Sequence, residues 1–493
     1  MRALRTTLLA AASLLIAGCA VGPDFKTPAP PAVKTYTTEP LPANTASANV
    51  TGGEAQHFSE GGDIAADWWT LFHSEPLNAL VTASLANNHD LKAAQAALLV
   101  AHENTAAQRG AYYPRLSVGA TATREQDPPG ALAPVPSNNA FLYNLYTPQV
   151  SVSYSPDIFG LNRRTVESLA AQEQAVRYQM IAVRITLSAN VVAAAVQEAS
   201  LEAQVDATRQ IVADAADTVR ILQYQLDKGY ASRLDLAAQQ SLLAQSNAAL
   251  PGLLKQLIQQ QHLIAVLTGQ FPGAALAQKF DLASLTLPQD LPVSLPSTLV
   301  AQRPDVLQAE ANMHAANAQI GVAIANRLPN IELTGNAGST ALEIGQLFGP
   351  GTGFWNIGAA LAQTIFDGGT LMHQERGARA AYVQTAEQYR STVLNAFQNV
   401  ADTLTALDQD AAALKAAAAS DDAAKVTLDL SKRQYKDGYA SYLSLLLAEQ
   451  AYQQDRIALV QAEAARYADT AALFQALGGG WWHTPDLTKD DHD

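Results

Sequence analysis

Nine histidines and a single cysteine are the residues of this chain best suited to metal or thiol chemistry. Their spacing supports little of either. His102-Glu103 is not followed by the second His that a zinc-protease helix needs. The chain has neither a phosphate-cradling loop ending in Gly-Lys-Ser/Thr nor a Gly-x-Ser-x-Gly nucleophile elbow. Gly349-Pro350-Gly351-Thr352-Gly353 lies between two segments of strand pattern, so it does not read as the strand-to-helix loop of a dinucleotide site. The remaining histidines are scattered and read as surface or packing residues. Asp421-Asp422 reads as a solvated helix face, and Trp68-Trp69 and Trp481-Trp482 as packing or interfacial anchors. No catalytic constellation and no cofactor is expected.

Cys19 remains. With one cysteine no intramolecular disulfide can form. Arg2 and Arg5 precede an apolar stretch, Thr6 to Ile16, that is half the length of a membrane-spanning helix. The stretch ends in Ile16-Ala17-Gly18-Cys19, which resembles a bacterial lipobox. The resemblance implies removal of residues 1–18 and acylation of Cys19, with palmitate among the chains expected. Ala20 follows where an Asp would often retain a lipoprotein on the inner membrane, so sorting to the outer membrane is expected. Each buried methylene contributes about 0.8 kcal/mol, so several acyl chains anchor stably.

The formal charge of −14 lacks the basic stripe that a polyphosphate partner requires. Residues 19–66 include a Pro/Thr/Ala/Gly-rich stretch that reads as an extended arm without a core of its own. Past the leader no run of eighteen apolar residues occurs, so a membrane crossing must use strands.

The elements that would position any function are duplicated. Gly229-Tyr230-Ala231-Ser232-Arg233-Leu234-Asp235-Leu236 recurs as Gly438-Tyr439-Ala440-Ser441-Tyr442-Leu443-Ser444-Leu445, offset by 209. Asp90 to Pro114 matches Asp305 to Pro329 at an offset of 215, and Ile158-Phe159 matches Ile365-Phe366 at 207. Three ordered matches at nearly one offset mean two copies of one unit. The first copy spans residues 67–290, with a β-hairpin at 114–157. The second spans 291–477, with a hairpin at 329–366, and a tail at 478–493 follows.

Leu161 to Lys228 contains neither Gly nor Pro, and neither does Ala378 to Asp437. The first is about seventy residues, roughly 100 Å as helix. Such helices belong to coiled coils, bundles or tubes. Ser232 to Thr268, with a kink expected at Pro251-Gly252, and Ala440 to Leu477 return along them. Four segments alternate strictly: Arg115–Thr123, Gln149–Ser155, Ile331–Ala337 and Phe354–Leu361. The alternation puts Val118, Val152, Leu333 and Ile357 toward an apolar medium and Ser117, Ser151, Glu332 and Asn356 toward a polar one. Such alternation suits a half-buried soluble sheet as well as a transmembrane barrel; the lipid anchor and the long helices favour the barrel, with Asp127–Asn144 and Gly345–Gly353 as loops. Four strands cannot close a barrel. A dimer would supply eight and a trimer twelve.

Val21-Gly22-Pro23-Asp24-Phe25 resembles the mature start of the NodT-type, TolC-like outer-membrane efflux lipoproteins. The stretch Leu295-Pro296-Ser297, Arg303-Pro304-Asp305-Val306, Ala309-Glu310, Ala315 to Ala323 and Leu328-Pro329-Asn330-Ile331 resembles that family's middle signature. Pro156-Asp157-Ile158-Phe159-Gly160 and Phe366-Asp367-Gly368-Gly369 resemble its leads into the long helices. The likeness runs from about Cys19 to Leu477.

It implies a mainly α fold with a small β part: a long helical periplasmic barrel joined to a transmembrane β-barrel shared by a homotrimer. The function implied is a passive exit duct for drugs or other small solutes. Its partners would be a periplasmic adaptor (membrane fusion protein) and an inner-membrane transporter of the RND class. The periplasmic tip and adaptor contact would be Gly229, Tyr230, Ser232, Leu234, Gly438, Tyr439 and Ser441. Gate candidates are Asp235, Leu443 and Leu447, with Glu449 a nearby acid. Leu447 stands where relatives often carry an acidic residue. A type I protein-secretion duct and a pore-free coiled-coil lipoprotein are the alternative readings.

Overall fold

A computed structural model describes residues 20–128, 141–273 and 280–488. Cys19 lies outside them, as do much of the first expected strand loop and the last five residues of the tail. In chain order the elements are β1 (His57–Glu60), α1 (Glu75–Asn87), α2 (His89–Arg109), β2 (Arg115–Gln126), β3 (Leu142–Tyr154), α3 (Leu161–Asp227), α4 (Arg233–Leu267), β4 (Asp290–Val293), α5 (Pro296–Gln302), α6 (Pro304–Ala325), β5 (Asn330–Ser339), β6 (Gly353–Ala362), α7 (Thr370–Lys436) and α8 (Tyr442–Ala476). The duplication is visible in their lengths: α3 and α7 have 67 residues each, and α4 and α8 have 35 each.

Several boundaries differ from the sequence expectation. β3 begins at Leu142, inside the stretch expected as loop, because its tyrosines and leucines suit a pleated surface. α7 begins eight residues before Ala378 and runs through Gly377. A helical Gly costs only about 1 kcal/mol, which a helix of this length absorbs. α4 is helical straight through Pro251. One window of α3 is long and apolar enough for a membrane span, but 61% of it is buried within the chain, so its apolar character serves packing.

The chain divides into two compact units. The first comprises the described residues up to Thr27, Leu98–Val176 and Ala309–Tyr389. It holds a four-stranded antiparallel sheet of order β2-β3-β5-β6. The β3–β5 pairing joins one copy of the repeat to the other, with Val152 opposite Gly335. Below it α3 packs on α6: the Ser168 hydroxyl donates to the Ala315 carbonyl at 3.2 Å and accepts from Gln319 at 2.8 Å.

The second unit comprises Pro28–Ala97, Arg177–Gln308 and Arg390–Asp493. Its core stacks Trp68 on Phe474 at 5.1 Å, with Trp69 edge-on to Trp68. The arm expected to lack a core is tied down here. β1 pairs in parallel with β4, and Tyr36 donates to the Ser294 carbonyl. Arg466, fully buried, donates to the carbonyls of Gly52, Glu54 and Leu407. Those carbonyls solvate a cation that burial would otherwise penalise.

Candidate functional site

In a sheet, directly opposed residues share a face. The register opposes Leu116 to Val152 and Val118 to Val150, Val152 to Gly335, Leu333 to Ala359, and Gly335 to Ile357. All four expected apolar positions, Val118, Val152, Leu333 and Ile357, therefore stand on one face. Leu116, Val150, Trp355 and Leu361 join them. These side chains are exposed in the single chain, Val118 and Ile357 by more than four-fifths. The opposite face carries Ser117, Ser151, Glu332 and Asn356, and Asn336 donates across it to Asn356 at 3.0 Å. A wide uncovered apolar face is not expected of a soluble sheet.

Among the described residues, the outer strands β2 and β6 leave one backbone edge each unpaired. Three successive antiparallel pairings make these edge strands antiparallel to one another. One copy can therefore continue the sheet of the next without breaking the alternation.

Each strand-to-helix step is held by an aspartate. Asp157 accepts from the backbone of Asn162 and Arg163, both at 2.9 Å. Asp367 accepts from Gly369 and Leu371, both at 2.8 Å, which pulls its carboxyl below the usual range. A carboxylate at a helix N-terminus meets unpaired N–H groups and the positive end of the dipole.

The Val21–Phe25 pentad docks on the same unit. Arg164, nearly buried, donates to the Val21 and Gly22 carbonyls and to the Asp24 carboxylate at 2.8 Å. Gly22 has φ +98° and lies against Gly321, where a Cβ would sit 2.5 Å from the Gly321 Cα. Phe25 stacks on His314 at 4.4 Å, and His314 is 3.0 Å from Glu167.

The second unit contains the two turns. Gly229 (φ +78°) and Gly438 (φ +79°) take the left-handed conformation. Tyr230 N–H donates to the Gln225 carbonyl and Tyr439 N–H to that of Gln434, both at 2.8 Å, which closes two Schellman caps. Ser232 caps α4 and forms a reciprocal box with Asp235, and Ser441 caps α8. The Asp235 carboxylate is thus engaged by the Ser232 hydroxyl at 2.7 Å. Tyr230, Leu234, Tyr439, Leu443 and Leu447 are exposed. Glu449 is buried, receives Gln239 at 3.3 Å, and burial raises its carboxyl. It is a packed acid and not an exposed one.

Beneath the turns, Leu222, Leu236 and Leu242 of the first copy share one cluster with Leu428, Tyr442 and Leu445 of the second. Polar links between the copies accompany it: Tyr435 donates to Gln225 at 3.0 Å, and Tyr442 donates to Gln239. Sequence reasoning missed these four residues. The one available signal was that Gln225 and Gln434 match at the 209 offset.

Comparison with known proteins follows the same lines. The chain is 29% identical over 486 residues to the toluene efflux pump outer membrane protein TtgC of Pseudomonas putida, covering 96% of this chain and 95% of that protein. It is 29% identical over 475 residues to outer membrane protein OprJ of Pseudomonas aeruginosa, covering 95% and 94%. The solved outer-membrane channel OprN superposes with a TM-score of 0.82 at 26% identity, covering 94% of this chain and all of that one. The mainly helical fold with its small sheet is therefore that of an outer-membrane channel. The outer membrane efflux protein model matches residues 80–270 and 295–479, and the chain belongs to that family.

Proposed function

We propose that three copies of this chain form the outer-membrane exit duct of a tripartite efflux pump. The duct is passive. It receives small solutes from a periplasmic adaptor and releases them outside, while an inner-membrane transporter of the RND class supplies the energy.

The sheet carries this reading. Its faces are sorted into apolar and polar, and its free edges suit closure into an all-antiparallel barrel. Lipid would cover the Val118–Ile357 face, and the Ser117–Asn356 face would line water. Three copies supply twelve strands, above the eight at which such barrels begin.

The duplication extends the argument to the helices. Within the chain, α3 of the first copy packs on α6 of the second. Their repeat counterparts, α7 and α2, expose Val383, Leu99 and Val100. Packing α7 on α2 of the partner subunit repeats the internal contact and closes the ring. Planar-bilayer recording tests the duct: discrete conductance steps from the purified protein are expected, and their absence rejects the reading.

The anchor would be Cys19. Val21 N–H bonds the Phe159 carbonyl at 3.1 Å, and Ala20 lies against Gly160. Ala20, the neighbour of Cys19 in sequence, therefore sits between the end of β3 and the start of α3, where strands give way to helices. This supports acyl chains entering the periplasmic leaflet. Mass spectrometry of the mature N-terminus is expected to find Cys19 acylated and residues 1–18 gone.

The two turns would be the periplasmic tips. Exposed Tyr230, Leu234 and Tyr439 suit adaptor contact. Leu443 and Leu447 would seal the aperture by packing rather than through a charged ring.

A further inference from the structure

The duplication gives the first unit two strand-to-helix corners, and they are not covered alike. At the first, Ile158-Phe159 leads from β3 into α3, and the start of the arm lies on it. Val21 N–H donates to the Phe159 carbonyl at 3.1 Å, and Ala20 lies against Gly160. Phe159 is half-buried there. At the second, Ile365-Phe366 leads from β6 into α7. The chain has a single arm, which lies on the first corner, and Ile365 and Phe366 are each 89% exposed.

Three observations point to what covers the second corner. It continues an apolar surface: Ile357 and Leu361, on the sheet face assigned to lipid, are exposed and lead along β6 to it. Its backbone is fixed on both sides, which holds the two side chains outward. Asp367 accepts from Gly369 and Leu371, and the Gln363 amide donates to the Arg327 carbonyl at 3.0 Å. Its charge balance is cationic. The Asp367 carboxylate is turned onto backbone N–H groups, while Arg327 and Arg379, both about half exposed, share the single carboxylate of Glu375. Apolar side chains flanked by a surplus of guanidinium match acyl chains beneath phosphate headgroups.

We propose that Ile365-Phe366 is a second membrane anchor, inserted among the acyl chains of the periplasmic leaflet, with Arg327 and Arg379 toward phospholipid phosphates. The proposal rests on the assignment of the Val118–Ile357 face to lipid and extends it past the end of the strand. In the first copy the equivalent corner lies against Ala20, next in sequence to the expected acyl-Cys19. The two corners would then hold one leaflet by different means: acyl chains at the first, and an Ile-Phe pair at the second. Around a closed trimer the two kinds of anchor alternate, so that each subunit is held on both sides.

The test replaces Phe366, Ile357 or Asn356 in turn by the photoreactive p-benzoylphenylalanine in the full-length protein. Each protein is reconstituted in vesicles of phosphatidylethanolamine and phosphatidylglycerol and illuminated. Mass spectrometry then reads phospholipid adducts, and gel electrophoresis reads linked subunits. Position 357 marks the lipid face and 356 the polar one. Adducts at 366 are expected within about twofold of those at 357 and at least about tenfold above those at 356. Adducts at 357 but not at 366 overturn the anchor and leave the lipid-facing sheet standing. Adducts at neither overturn both. Linked subunits at 366 in place of lipid adducts overturn the anchor in favour of a contact between copies of this chain. Ile365→Ser with Phe366→Ser is expected to slow insertion into the same vesicles at least about fivefold. Val426→Ser with Leu430→Ser, an exposed apolar pair on α7 in the second unit, is expected to slow it less than about twofold. Equal slowing by the two pairs overturns the anchor in favour of a general loss of apolar surface.

Discussion

The Ser168 hydroxyl on α3 donates to the Ala315 carbonyl on α6 at 3.2 Å, a contact between the two copies of the repeat. Carried through the duplication at offsets of 209 and 215, the pair becomes Gly377 on α7 and Val100 on α2. Neither has such a partner among the described residues: Val100 is 61% exposed, and a Cβ at Gly377 meets nothing within 4 Å. The expected partner is Val100 of the partner subunit. Oxidised Gly377→Cys/Val100→Cys protein should run as linked dimers and trimers, and either single variant as monomer. The only native cysteine is Cys19, which acylation would remove from the chemistry. A double variant that stays monomeric under oxidation would place the interface elsewhere.

Strand parity makes a second prediction. Arg at Val118 or Ile357 should destabilise the membrane-inserted protein by about 2–4 kcal/mol near mid-membrane. Arg at Ser117 or Asn356, one residue away on the polar face, should cost much less. Denaturant titration in bilayers checks this, and equal tolerance on both faces would reverse the assignment of lipid and water.

At the turns, Leu443→Ser with Leu447→Ser should raise the conductance of isolated trimers while leaving their amount in the membrane unchanged. Adaptor crosslinking from a photoreactive residue at Tyr439 should fall in the same variant. Unchanged conductance together with intact crosslinking would remove these leucines from the gate and the docking surface alike.

The Ser232–Asp235 box is expected to hold the start of α4. Ser232→Ala should cost about 1 kcal/mol and speed hydrogen exchange in the first turn of that helix, leaving the core of α4 unchanged. Protection lost along the whole helix would mean that the cap supports more than its own turn.

Burial raises the carboxyl of Glu463 to about 7, with Arg456 opposing the shift. An acid whose folded value lies above its unfolded one binds its proton more tightly when folded. Its contribution is therefore full below pH 4.5 and is lost as pH rises toward 7. Glu463→Gln should flatten this decline and stabilise the protein at pH 8, by about 1 kcal/mol after solvent screening. Thermal melts between pH 4.5 and 8 read the slope. A slope unchanged by the substitution would assign the pH dependence to other groups, of which Asp469 on α8, whose carboxyl burial also raises, is the first candidate.

Much was legible in the sequence because it depends on local periods. Side chains alternate along a strand with period two, so Val118, Val152, Leu333 and Ile357 were sorted from their neighbours before any pairing was known. Freedom from Gly and Pro marked α3 and α7, and the Gly-Tyr-Ala-Ser repeats marked where both helices end. Tertiary structure decided what no local pattern encodes. It paired β3 with β5, so that the two copies make one sheet. It buried Asp421 while leaving Asp422 open, because the α8 side of α7 is covered and the next residue points elsewhere. It placed Tyr442 on Gln239 and wrapped Arg466 in carbonyls of the arm. Each of these depends on contacts between residues distant in the chain, and residue type alone does not say which side of a long helix another element will cover.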